Sequence, residues 1–506
     1  MAKTKSTIGY FAGSIAWGTI SKLLGAGIKF VTIPALLAHF GKENYGLLTL
    51  AIATNAYMKL LDMGMNTGGI KFFSQWISSG KYDMIDRVAR TNISFYLGVG
   101  LLNSFILIGV GTWGEGLFKL SPEQFSTFRY LLFILSAFSI INWITFVFNQ
   151  LLVADEKIAF TQQIMALRSI LGLSVVGITV AFKWSILEYF FADLVVSAGV
   201  IFPYYYLARK RRLIRSILPA FYWKDFSIVF KYGLAILAMS IFQFTATQSR
   251  PLILAAFSTS GIGVLTEYRI IEVFPIFIIS LGGMLISIIL PKSAKAIQDN
   301  DRGKIEQIAY KGTRYTSVIV SLLCFPVMLS ARELLELYVG EGYTYLSLWL
   351  VLWVFTLVLY LHNSPVSSLV LATGKTKMLV YSSAISCVVS IVINAVLTNI
   401  YGVGSAVIGY LVYIIIQMSF YYLYFNNKVL GLKSFKVFKA FIIPTSLGFI
   451  VFLIVQFMGI EADLIIFQLL LKTVIWVGAY LLLLGFFRVL DIKGLSVVFR
   501  NNRRVK

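Results

Sequence analysis

The sequence predicts an all-α, polytopic membrane protein of about 14 transmembrane helices. Three observations carry this expectation. Of 506 residues, 58% are hydrophobic and only 13% charged, and a mean hydropathy of +0.83 lies outside the range of ordinary globular domains. Apolar windows of roughly 20 residues, the length that crosses about 30 Å of hydrocarbon, recur from Tyr10 to Phe487 with short interruptions. Lys and Arg cluster in alternate loops, the bias that orients helices with their positive loops toward the cytoplasm.

The expected spans follow in order. Spans 10–39 and 45–70 are parted by the polar Gly41-Lys42-Glu43-Asn44, and the second runs into a basic loop holding Lys71, Lys81, Arg87 and Arg90. Spans 91–113 and 127–152 flank a loop that carries Glu115 and Glu123; Lys157 precedes span 159–181, and Lys183 precedes span 187–208. A strongly basic stretch from Arg209 to Lys231 leads to spans 232–257 and 263–290. Lys292 to Arg314 form the next basic loop, followed by span 315–338 with Glu333 and Glu336 at its end, then by 346–373. Lys375 and Lys377 precede 378–399 and 405–425; Lys428, Lys433 and Lys436 precede 439–459; Glu461 and Asp463 precede 465–487 and the basic tail. An even number of spans places both termini in the cytoplasm.

Charge and composition exclude several function classes. The net charge of +22 follows from the loop bias, and no compact basic domain exists to bind nucleic acid. Cys324 and Cys387 lie in apolar runs as small hydrophobes. The polar Met1–Thr7 lacks the apolar stretch and small-residue cleavage site of a signal peptide. His39 and His362 are the only histidines, so a multi-His metal site is impossible. No phosphate-binding Walker loop or dinucleotide fingerprint occurs. No catalytic residue, metal or cofactor is therefore expected. Transport leads over enzymatic activity.

A short repeat divides the chain. Leu37-Ala38-x-Phe40 followed by Gly46-x-Leu48-Thr49 matches Leu254-Ala255-x-Phe257 followed by Gly263-x-Leu265-Thr266 at one constant offset. It points to a six-helix lobe at 1–208, a basic cytoplasmic linker at 209–231, a second six-helix lobe at 232–425, and two additional helices with a basic tail at 426–506.

Ionisable residues inside apolar windows are the candidate functional groups, because a charge at the bilayer centre costs at least about 2.5–3.5 kcal/mol and usually faces a protein interior or aqueous cavity. Lys22 and Lys29 share one face of the first span, and Lys59 lies three residues before Asp62 in the second. Arg168, Asp193, Arg250, Glu267, Arg269, Glu272, His362, Asn363 and Lys472 follow. Lys22 and Lys472 can also snorkel to a surface, and Lys59 with Asp62, or Arg269 with Glu272, can form structural ion pairs. Arg250 follows a polar stripe of Thr245, Thr247, Gln248 and Ser249 and precedes Pro251, which reads as cavity lining. The deep cations Lys29, Lys59, Arg168, Arg250 and Arg269 outnumber Asp62, Asp193 and Glu272, a balance that suits an anionic substrate such as a pyrophosphate.

Phe40-Gly41-Lys42-Glu43-Asn44-Tyr45-Gly46-Leu47, Leu60-Leu61-Asp62-Met63-Gly64-Met65 and the Gly261-x-Gly263 element give the chain a resemblance to the polysaccharide-unit flippases of the Wzx type, in the multidrug/oligosaccharidyl-lipid/polysaccharide exporter superfamily. The resemblance covers nearly the whole length. It implies two lobes rocking in alternating access in the bacterial inner membrane, moving an undecaprenyl-pyrophosphate-linked oligosaccharide to the outer leaflet for O-antigen or other lipopolysaccharide and polysaccharide biosynthesis. Membrane lipids, a polysaccharide polymerase and a chain-length regulator are the implied partners. Lys29, Lys59, Arg168, Arg250, Arg269 and Asn363 would line the cavity, and Asp62, Glu272 and His362 would be the titrating groups if transport is ion-coupled. Related sequences often place an acid before the arginine of the seventh span; here Ser249 stands there. The alternatives are a small-molecule (drug) antiporter of the same fold and a membrane-embedded polymerase or ligase, the latter disfavoured by short outward loops.

Overall fold

The computed structural model describes residues 2–57, 59–374 and 377–489. Lys375, the tail from residue 490 onward, and the side chains of Lys22 and Lys59 lie outside the described residues. The chain is 87% helical, with no strand among the described residues. In order the helices are α1 (Ala2–Ala56), α2 (Lys59–Ser78), α3 (Tyr82–Trp113), α4 (Pro122–Ala154), α5 (Ile158–Phe182), α6 (Ile186–Gly199), α7 (Ile201–Lys210), α8 (Trp223–Phe257) and α9 (Val264–Gln298). They continue with α10 (Arg302–Glu306), α11 (Thr313–Leu329), α12 (Ala331–Val339), α13 (Ser347–Leu361), α14 (Ser364–Ala372), α15 (Lys377–Tyr401), α16 (Val403–Phe420), α17 (Ser434–Phe457) and α18 (Ile465–Phe486). Among the described residues 11 helices are long and apolar enough to cross a membrane, or 12 if the two parts of α8 count as one span. The chain is a multi-pass membrane protein.

Helix breaks fall where the backbone demands them. Gly41 inside α1 adopts φ 78°, a conformation that costs an L side chain about 1–2 kcal/mol, and this kink separates the first two expected spans. A further break at Tyr57 interrupts the span expected at 45–70, so α2 starts only at Lys59. The expected span 346–373 is divided at His362-Asn363, because Pro365 has no N–H to bond the carbonyl of Leu361 and helix α14 must start anew. Ser121 and Ser185 open α4 and α6 with reciprocal caps to Gln124 and Glu188.

Two compact units divide the described residues. The first draws on Met1–Val273 and Leu379–Gly409, the second on Phe274–Met378 and Tyr410–Lys506. In the first, α3 lies along α4, α1 along α5 and α2 along α8. Its core gathers Tyr96, Trp143, Phe148 and Phe226, all buried, with Tyr96 stacked on Trp143 at 5.8 Å between ring centroids. Helices α2 and α8 meet through glycines: a Cβ on Gly64 would lie 2.1 Å from the carbonyl oxygen of Gly233. In the second unit α11 packs against α13, α17 and α18, with Phe325 stacked on Trp476 at 5.5 Å. There Lys472, whose ammonium the sequence leaves free to snorkel, is paired with Glu333, and Glu333 also accepts a bond of 2.8 Å from Gln468 Nε2.

Candidate functional site

Helix α8 runs unbroken through Pro251 and buries Arg250, 5% exposed. One guanidinium nitrogen, Nε, donates to the carbonyl of Ala246 one turn back at 3.1 Å, which turns the rest of the fork away from its own backbone. On α9, Arg269 and Glu272 stand one turn apart and form an ion pair, each less than a quarter exposed. On the adjoining pair α5 and α6, Arg168 holds Asp193 with both carboxylate oxygens engaged, at 3.0 and 3.2 Å.

Three tyrosines join these groups. The hydroxyl of Tyr189 on α6 is within electrostatic reach of Asp193, Arg168 and Tyr45. Tyr45, in turn, is within reach of Arg269 and Glu272. Tyr268, beside Arg269 in sequence and 2% exposed, is within reach of Glu272, Arg250 and Arg269. The first unit therefore holds a group of charged and phenolic side chains near one another: Asp193, Arg168, Tyr189, Tyr45, Glu272, Arg269, Tyr268 and Arg250. It carries three guanidinium groups against two carboxylates. Arginine forks suit oxyanions because two parallel N–H donors match two oxygens, and phenol hydroxyls can donate to the same groups.

Beyond this group, the two repeat segments meet. Lys42 Nζ lies 2.6 Å from Glu267 Oε1, and Thr266 Oγ1 donates to the carbonyl of Lys42 at 2.6 Å. A Cβ on Gly46 would lie 2.6 Å from the carbonyl oxygen of Ile262, and one on Gly263 would lie 2.7 Å from Glu43 Oε1. At Gly46, where the neighbour is backbone, only glycine permits so close an approach; at Gly263 the neighbours are the ends of the Glu43 and Lys42 side chains.

The other residues singled out in the sequence lie elsewhere. Asp62 accepts from Tyr96 Oη at 2.6 Å; Gln150 Nε2 donates to that hydroxyl at 2.8 Å, and Asn92 Nδ2 donates to Gln150 Oε1 at 2.8 Å. This buried network belongs to the α2, α3 and α4 packing. Lys29 is exposed on α1, and the side chain of Lys59 is outside the described residues. His362 and Asn363 belong to the second unit. The imidazole of His362 is 1% exposed, stacked on Phe441 at 3.8 Å and 3.0 Å from Tyr422 Oη, so aromatic rings enclose it. Tyr45, Tyr189 and Tyr268 are absent from the sequence reading as site residues, and Tyr45 alone carried a signal, through the Gly41–Leu47 segment.

No protein-family model matches the chain, and no curated protein matches its sequence. Its fold matches solved structures. A structure of the lipid II flippase MurJ in an inward closed conformation is 15% identical and superposes with a TM-score of 0.70, covering 95% of this chain and 99% of that one. A multidrug resistance MATE family transporter of the MOP superfamily, inward-facing, is 16% identical with a TM-score of 0.61 over 83% of this chain and 93% of that one. A MOP superfamily transporter from Pyrococcus furiosus, described as having a binding pocket of reverse polarity, is 14% identical with a TM-score of 0.56 over 85% and 94% of the two chains. The chain shares its fold with these three solved structures.

Proposed function

We propose that this chain flips an undecaprenyl-pyrophosphate-linked oligosaccharide from the cytoplasmic to the outer leaflet of a bacterial inner membrane. The observation that carries the reading is Arg250, a buried guanidinium in an apolar helix of the unit that also holds the Arg269–Glu272 pair. A pyrophosphate with its sugars cannot cross about 30 Å of hydrocarbon unaided, since each unpaired polar group costs several kcal/mol there. A fork already held in a dry environment replaces that hydration.

The ion pairs give the site a way to exchange partners. An arriving oxyanion competes with Glu272 for Arg269 while Arg250 supplies a second fork, and Tyr268 and Tyr45 donate hydroxyl bonds to whichever anion is left. Glu272 then becomes a proton acceptor, one route by which an ion gradient drives the cycle; Asp62 and His362 are the other titrating candidates. Lys29, Lys59 and Asn363 would contact the sugar portion or the rim. Alternating access would rock lobes 1–208 and 232–425 about the basic linker 209–231, with both termini cytoplasmic. The Lys42–Glu267 contact would serve as the gate between the repeat segments.

A small-molecule antiporter is the second reading. It is favoured by the Asp62–Tyr96–Gln150 network, which holds a buried carboxylate by hydrogen bonds. Purified protein in proteoliposomes separates the readings. Translocation of a lipid-linked oligosaccharide without change in its length supports the flippase; proton-driven uptake of a cationic dye with no lipid movement replaces it with the antiporter, and lengthening of the glycan replaces it with a polymerase.

A further inference from the structure

A second cationic site lies in the first unit, away from the polar group described above. Helix α7 ends at Lys210, and a cavity of about 640 Å³ opens at that end, lined by Tyr82, Arg209, Arg211, Arg212, Ile214 and Arg215. This is within the roughly 300–1,000 Å³ of ordinary ligand pockets. Two of the four arginines are neutralised. Arg211 Nε lies 2.8 Å from Asp155 Oδ2, and Arg215 is paired with Asp83. Arg209 donates to the Tyr205 hydroxyl at 3.1 Å, and neither Arg209 nor Arg212 has a carboxylate partner among the described residues. Two guanidinium groups therefore face the cavity with no anion to balance them.

The backbone holds them in place. Leu213 N donates to the carbonyl of Ala208 at 3.0 Å and Arg212 N to that of Arg209 at 2.9 Å, the paired bonds of a Schellman cap. Leu213 and Ile214, each 1% exposed, pin the turn into the core, and Arg215 N donates to Asp86 Oδ1 at 2.7 Å. Arg212 occupies the left-handed position of this cap, at φ 57°, where glycine is the usual residue and an L side chain costs about 1–2 kcal/mol. Arginine at this strained position lines the cavity with three others, so its side chain and not its backbone preference accounts for its place there.

The location names the ligand. Residues Ile186–Lys210 form one apolar span, so its end lies at the depth of lipid headgroups. Phe202 and Tyr206 on α7, the helix that ends at the cavity, are 74% and 67% exposed and offer aromatic surface to an acyl chain. We propose that this cavity binds the phosphate of an anionic phospholipid headgroup, with Arg209 and Arg212 as its donors. The shared chemistry is a phosphate ester, which free phosphate would also satisfy.

Full-length protein in phosphatidylcholine nanodiscs, titrated calorimetrically with dihexanoyl phosphatidic acid and separately with inorganic phosphate, distinguishes the two. Saturable binding of the lipid, with inorganic phosphate much weaker, is expected. Arg209→Gln with Arg212→Gln should weaken the lipid about thirtyfold, at about fivefold for each basic residue lost near the membrane surface. Arg212→Gly is the folding control: it relieves the left-handed strain, so its melting temperature should hold or rise while lipid affinity falls about fivefold. Unchanged lipid affinity in either variant, or no binding by the parent protein, overturns the site. Inorganic phosphate binding as tightly as the lipid overturns the phospholipid assignment.

Discussion

Replacing Arg250 with methionine removes the guanidinium but keeps most of the side-chain volume at a position that is 5% exposed. If the fork engages the pyrophosphate, the loss is two charge-assisted bonds of about 1.5–3 kcal/mol each, partly offset by water that re-enters the site. A net loss of about 3 kcal/mol corresponds to roughly a hundredfold weaker apparent affinity. Arg250→Lys keeps the charge and loses the fork, so about a tenfold effect is expected. The fold should tolerate both variants. Methionine deletes the 3.1 Å bond to Ala246, worth about 1 kcal/mol, and leaves no cavity of the kind alanine would create; thermal unfolding reads any further structural cost directly. The assay is leaflet exchange of a fluorescent lipid-linked oligosaccharide in proteoliposomes across substrate concentrations, with thermal unfolding measured on the same preparations. A folded Arg250→Met protein with the parent's concentration dependence would refute an anion contact at Arg250.

Two further outcomes follow from ion pairs outside that polar group. Lys42→Cys with Glu267→Cys, joined by a short reducible crosslinker, should stop lipid exchange and recover on reduction, because the parent contact of 2.6 Å would have to open in each cycle; undiminished exchange in the crosslinked protein removes the gate. Glu333→Gln should lower the thermal stability of the second unit by about 3 kcal/mol, since Lys472 and Glu333 are only 12% and 11% exposed and the ammonium would lose its counter-charge; Lys472→Met added to it should restore most of the loss, as a calorimetric melt would record.

The membrane architecture was legible because hydrocarbon imposes length and apolarity on every span, and composition records both. Helix breaks were less so. Gly41 falls between the expected spans 10–39 and 45–70, whereas the break before Pro365 lies inside the span expected at 346–373 and that at Tyr57 inside the span expected at 45–70. Charges within apolar windows marked Arg168, Arg250, Arg269 and Glu272, but sequence spacing could link only Arg269 to Glu272, which share one helix face. Arg168 and Asp193 sit on different helices, and their pairing is a tertiary fact. Tyr45, Tyr189 and Tyr268 carried least signal. A tyrosine in a hydrophobic run reads as core, and only the placement of its hydroxyl beside a charge separates the two roles.

The repeat gives the clearest step from sequence to mechanism. Similarity between the segments around Gly46 and Gly263 was visible as pattern alone; their mutual contact was not. At Gly46 the backbone of the other copy comes within 2.6 Å of a would-be Cβ, and at Gly263 the Glu43 carboxylate comes within 2.7 Å, both closer than van der Waals contact. At Gly46 this brings peptide groups together, and polar bonds bridge the copies there, among them the Lys42–Glu267 ion pair and the Thr266 hydroxyl bond to the Lys42 carbonyl. Lys42 is 37% exposed, so solvent screens the pair and holds its worth to about 1 kcal/mol or less. Apolar interdigitation of the same area would cost about 25 cal/mol for each Å² uncovered. A contact made of exchangeable polar bonds can instead trade them for water, which is what a gate that opens in every transport cycle requires.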